Sequence, residues 1–164
     1  MTTPKFNIAP DSFDYFLTGI ALLCLLLMFG LNLYYYDLVP ERIPVYFDAA
    51  GKPDSYGEKI TLWVVFGLSV LLFIILTLVG RSPHLANYSV PITAENAPRQ
   101  YKNMQQMNRA LTAVLCLCFA YIHYGIIQTA LGQQDGLGLW FLLLFLSLIF
   151  GIIAYFLYRA KVLE

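Results

Sequence analysis

Asp48, Asp54, Glu58 and Lys59 lie close together in the chain, and their side chains are of the types that move protons or pair charges. No nucleophile motif, paired histidines or metal-ligand spacing accompanies them, so the sequence reads as non-enzymatic, with no catalytic residue, metal or cofactor. Cys116 and Cys118 are two residues apart, hence roughly 200° apart around a helix, and cannot clasp one metal together. With Cys24 they read as small packing residues. His123 is the one group titrating near neutrality inside an apolar run. Thr112, Cys116, Ala120 and His123 share a helical stripe of mostly small residues, so His123 is expected to face the other helices and bond one of them. Asn32 and Gln128 are further polar groups in or near apolar runs, and would bond each other if the first and third helices touch there.

The elements that must position these groups follow from composition. Of 164 residues, 59% are hydrophobic and 12% charged, against about 25% charged in a soluble domain. Uncharged runs cover 15–36, 60–80, 110–134 and 136–158. A run such as 15–36 makes a helix of about 33 Å, enough to cross the hydrocarbon layer. The sequence therefore predicts an all-α integral membrane protein: a single membrane domain, 1–164, forming a four-transmembrane-helix bundle with an ordered extracytoplasmic loop. The expected bounds are helix 1 at about 15–36, outer loop 37–59, helix 2 at 60–80, and a cytoplasmic loop 81–109 ending in an amphipathic helix start. Helix 3 then covers 110–132 and helix 4 covers 137–158. Tyr34, Tyr35, Tyr36, Trp63, Trp140, Tyr155 and Tyr158 suit interfacial belts. The first run is too long for a signal core and follows Asp11 and Asp14 where basic residues belong, so helix 1 is expected to be retained.

With both termini inside, Lys5, Arg81, Arg99, Lys102, Arg109, Arg159 and Lys161 face the cytoplasm, against Arg42, Lys52 and Lys59 outside. The basic excess favours that orientation. Ten Lys and Arg balance ten Asp and Glu, leaving no excess for nucleic acid. The four runs themselves hold no Asp, Glu, Lys or Arg, which argues against a pump, channel or coupled transporter. Ser147, Gly151 and Ala154 form a small-residue seam on helix 4 that suits helix packing. The bilayer is the expected surrounding, and a homo-oligomer is compatible with so small a bundle.

The outer loop is patterned. Pro40 and Pro44 hold their neighbours extended, Val45 and Phe47 alternate as in a strand, and Gly51 offers a positive φ for a turn before Pro53. Ser55 and Glu58 have capping-box spacing ahead of helix 2. Asp54 and Glu58 would complement that helix's dipole, with Lys59 pairing them. The segment closely resembles the signature of the domain of unknown function 1648, found at the N-terminus of SdpI-type bacterial immunity proteins. Pro40, Ile43, Pro44, Phe47, Asp48, Gly51, Asp54, Tyr56 and Lys59 carry the match. Tyr46 stands where the family usually has histidine, so no metal or proton-transfer role of that histidine carries over.

The stretch from Asn87 to Tyr101 resembles the second loop of short four-helix members of the same family. Thr93 or Asn96 would cap the third helix. Tyr101, Met104, Met107 and Leu111 give it an amphipathic lead-in, and Arg99, Lys102 and Arg109 are expected to face the anionic inner leaflet. The resemblance implies a multi-pass protein of the bacterial inner membrane that recognises a peptide, toxin or partner protein through its outer loop. Tyr46, Asp48 and Tyr56 are the foremost contact candidates. The alternative is a small-molecule or lipid transporter subunit.

Overall fold

The computed structural model describes residues 8–164, so Lys5, counted for orientation, lies outside the described residues. The chain is mostly helical, with four helices long and apolar enough to cross a membrane: α1 (Ser12–Tyr35), α2 (Thr61–Val79), α3 (Ala97–Ala130) and α4 (Leu139–Val162). A short 3-10 turn occupies Pro83–Leu85. The structure corrects the all-α expectation. Residues Arg42–Phe47 (β1) and Pro53–Glu58 (β2) pair antiparallel as a two-stranded sheet between α1 and α2.

Local chemistry sets several boundaries. Asp11 caps α1 by accepting the Asp14 N–H at 3.0 Å while Asp14 accepts the Asp11 N–H at 2.8 Å, a reciprocal pair that starts the helix three residues before its uncharged run. Thr93 and Asn96 share the start of α3: each side-chain oxygen accepts the other's backbone N–H, at 2.9 and 3.2 Å. The 34-residue α3 takes in Arg99, Lys102 and Arg109, so the expected helical lead-in is continuous with the apolar run. The expected capping box of Ser55 and Glu58 does not form. Both residues lie in β2, their backbones held by the hairpin, and α2 opens at Ile60 without a side-chain cap.

The central element is α3, which packs against α1, α2, α4 and β1. Three clusters stack along it. Val39, Ile43, Leu62, Ile126 and Ile127 close the hairpin end; Ala21, Cys24, Leu25 and Cys116 fill the middle; Leu17, Ala110, Ala113 and Phe156 close the end where α1 begins and α4 ends. The seam of Ser147, Gly151 and Ala154 faces outward, contrary to its expected packing role. α4 instead meets the bundle through Ile152, Phe156 and Ala160, because its bulkier inward residues fill the space beside Ala110 and Ala113.

Candidate functional site

The hairpin has an inward and an outward face. Ile43 is fully buried, and Val45 and Phe47 pack on the same cluster of α2 and α3 residues. Fully burying one such aliphatic side chain stabilises by about 2 kcal/mol, enough to hold a short hairpin in place. Gly57 sits across from Ile43 with no room for a side chain, since an added Cβ would lie 2.9 Å from Val45 Cγ1. Tyr46 and Tyr56, on the outward side, are 69% and 54% exposed. Pro40 and Asp54 are exposed too, whereas Pro44 and Gly51 are buried and serve the framework.

Asp48 and Lys59 have structural partners. Asp48 Oδ1 accepts the N–H groups of Ala50 and Lys52 at 2.9 and 2.8 Å, closing the turn that Gly51 completes at φ 75°. Lys59 pairs with Glu41 at 2.8 Å and lies over the Tyr36 ring, in place of the expected pairing with Asp54 and Glu58. The hydrogen bond to Glu41 raises the Lys59 ammonium above its ordinary value. Strand pairing is the reason: the Lys59 N–H donates to the Glu41 carbonyl at 3.0 Å, placing the two side chains together at the hairpin base.

The hairpin tip is also clasped from above by the turn between α3 and α4. The Leu137 N–H donates to the Gly51 carbonyl at 2.7 Å, and the Tyr121 hydroxyl donates to the Leu137 carbonyl at 2.7 Å. Backbone meets backbone here, so glycine is required. A Cβ on Gly136 would stand 2.0 Å from the Gly51 oxygen.

A second polar cluster lies at the opposite end of the bundle, where the sequence reading placed none. Asp14 is 1% exposed. Its Oδ2 pairs with Lys102 Nζ and its Oδ1 meets Arg109 Nη1 at 2.5 Å. Lys102 and Arg109 therefore turn into the bundle instead of toward a lipid surface. Lys102 also reaches Asp11 at 3.0 Å and the Ala9 carbonyl at 3.1 Å. The Asp14 N–H, and next Lys102, hold the Asp11 carboxyl below the usual carboxylate range. Gln106 donates to Asp11 and accepts from Arg159 at 2.6 Å, extending the network to α4. Two sequence signals pointed here: the Asp11 and Asp14 spacing of a cap, and Lys102 and Arg109 seven residues apart, on one face of a helix.

Amide side chains tie the remaining helices to α3. Gln100 donates to the Ala160 carbonyl at 2.7 Å, Asn103 to Phe156 at 3.0 Å and Asn108 to Leu76 at 2.8 Å. These bonds are important because packing apolar helices in lipid gains little from the hydrophobic effect. Asn103→Leu is expected to loosen the end of α4 by about 1 kcal/mol, read as faster amide exchange over residues 156–162. Unchanged exchange would show that side-chain packing alone holds α4.

The polar groups singled out within the apolar runs are not assembled into one site. Asn32 donates to the Leu62 carbonyl at 3.5 Å, a long bond, and makes none with Gln128. The α1 side chain meets the first turn of α2 before it can reach α3. His123 is fully buried, yet neither ring nitrogen has a hydrogen-bond partner, so the expected interhelical bond is absent. Its neighbours along the packed stripe, Thr112 and Cys116, are buried on the same face and lie too far along the helix to serve it. The three cysteines are free and buried. Among the described residues no group of three or more His, Cys, Asp or Glu could hold a metal.

Comparison with known proteins finds an uncharacterized protein of Archaeoglobus fulgidus that is 27% identical over 175 residues, spanning 95% of this chain and 94% of that one. No solved structure matches. Residues 22–73, which run from α1 through the hairpin to Phe73 in α2, match the domain of unknown function DUF1648. This segment contains every residue of the loop between α1 and α2 that carried the resemblance.

Proposed function

We propose that this chain is a non-enzymatic multi-pass membrane protein that recognises a peptide or protein partner through the hairpin, in an immunity or signalling role of the SdpI type. In this reading the hairpin lies outside a bacterial inner membrane and both termini lie inside. One observation carries it: Tyr46 and Tyr56 stand exposed on a hairpin whose other face is buried and whose tip is clasped. Tyrosine presents a large amphipathic surface at low entropic cost, and a fixed backbone avoids the ordering penalty a mobile loop would meet on binding.

The test is photocrosslinking in native membranes from position 46, with position 47, on the inward face, as the control. A discrete peptide or protein adduct from 46 and none from 47 is the expected result. Lipid or self adducts alone would overturn partner recognition and favour the lipid-handling alternative. For the immunity role, deletion of the gene is expected to raise sensitivity to membrane-active peptides. Unchanged sensitivity would remove immunity and leave partner binding.

A further inference from the structure

Between α1, α2 and α3, at the end where α1 begins and α4 ends, lies a cavity of about 380 Å³ whose lining is unusually polar for a bundle of apolar helices. Arg81 and Arg109 contribute guanidinium groups, Gln105 an amide, and Thr18, Thr77 and Thr112 hydroxyls. The two cations differ in their commitments. Arg109 Nη1 is ion-paired with Asp14, and the guanidinium makes no hydrogen bond among the described residues. Arg81 has no acidic partner among them at all. Around this end Arg81, Arg99, Lys102, Arg109, Arg159 and Lys161 face only Asp11, Asp14, Glu95 and Glu164. Positive charge is therefore left over after the internal pairs are made, and two of its carriers line one cavity.

Two further features fit an occupant. Gln105 is 8% exposed and its Oε1 has no donor, a buried acceptor that requires a partner. Asn108 donates to the Leu76 carbonyl near the C-terminal end of α2, neutralising an acceptor that would otherwise oppose an anion in the cavity. Gly80 leaves room for that bond, since a Cβ there would lie 2.7 Å from Asn108 Nδ2.

We propose that this cavity binds a phosphate-type oxyanion. Arg81 and Arg109 would hold its charged oxygens with the planar fork that suits phosphate, and a hydroxyl on the bound group would satisfy Gln105. The anion could be carried by the headgroup of an anionic phospholipid or arrive as free phosphate. The proposal is independent of the hairpin's role.

The chain, purified in a neutral maltoside detergent, is examined by native mass spectrometry and thermal unfolding with added phosphatidylglycerol, diacylglycerol or inorganic phosphate. Expected are one tightly held phosphatidylglycerol per chain, none of diacylglycerol, and affinity lowered about tenfold by Arg81→Gln, the loss of one charge-assisted contact. The Arg81 side chain is exposed and makes no hydrogen bond or ion pair among the described residues, so this variant should fold. Lys161→Gln, which removes the same charge from an exposed site outside the cavity, should leave binding intact. Saturable stabilisation by inorganic phosphate, with no retained lipid, would support the site and identify the free anion as its source. Equal retention of phosphatidylglycerol and diacylglycerol, binding of neither phosphate source, or equal losses in Arg81→Gln and Lys161→Gln would each overturn it.

Discussion

Asp14→Ala is expected to destabilise the folded chain by about 3 kcal/mol, because it leaves Arg109 turned into the bundle with no carboxylate and Lys102 with only the half-exposed Asp11. The Lys102 and Arg109 side chains are 20% and 27% exposed, so relaxation toward the interface recovers part of the loss but cannot restore a carboxylate for Arg109. The same substitution also removes one half of the α1 cap, worth about 1 kcal/mol. Asp14→Asn separates the two effects: its amide oxygen can still accept the Asp11 N–H, while the charge is gone. Unfolding midpoints in detergent should fall in the order wild type, Asn, Ala, with most of the drop already present in Asn. Midpoints for Asn that match wild type would show that the cap, and not the ion pairs, is what Asp14 contributes. A companion variant, Asp14→Leu with Lys102→Met and Arg109→Leu, tests the converse. Replacing every member of a buried charge cluster is often neutral or better, so this triple variant should be more stable than Asp14→Ala alone.

How far the sequence revealed these arrangements depended on what kind of signal each residue gives. Long apolar runs are nearly unambiguous, and each of the four helices covers most of one of them. The hairpin was half legible: Val45 and Phe47 showed strand alternation and Gly51 a turn, but β2 reads Pro-Asp-Ser-Tyr-Gly-Glu, with no apolar alternation to betray it. Its pairing with β1 comes from backbone geometry, and Ser55 and Glu58 offered a competing local motif that the pairing overrides. Asp14 was hidden for a different reason. Counting charges within uncharged runs trims each helix at its first ionisable residue, so an acid buried one turn inside the helix start is excluded by construction. Lys102 and Arg109 were misread through the same step, since basic residues beside an apolar run look alike whether they reach lipid phosphates or a carboxylate on another helix. Tyr46 and Tyr56 stood out by type, yet their exposure required the structure.

Gly136→Ala is expected to release the hairpin tip from the turn between α3 and α4 while leaving the helices in place. Gly136 has φ 146°, and a Cβ there would lie 2.0 Å from the Gly51 oxygen and 3.2 Å from Lys52 Cα. Those neighbours are backbone atoms and cannot rotate away. The strain of the conformation, of order 1–3 kcal/mol, adds to the steric overlap, and the 2.7 Å bond from Leu137 N–H to Gly51 must break. Exchange of the Leu137 amide should rise by about a hundredfold, the equivalent of roughly 3 kcal/mol of lost local protection. Gly132→Ala supplies the comparison: its φ is 70°, but nothing lies within 4 Å of the added Cβ, so only local strain of about 1 kcal/mol is expected. Equal effects of the two substitutions would show that the clasp contributes nothing beyond backbone strain. The clusters of Leu17, Ala110, Ala113 and Phe156 and of Ala21, Cys24, Leu25 and Cys116 lie farther along the bundle, away from this turn, and should keep their protection. If fixed presentation of Tyr46 and Tyr56 underlies partner recognition, Gly136→Ala should also reduce the crosslink from position 46 well below the Gly132→Ala yield, since a released tip must be reordered before it can bind.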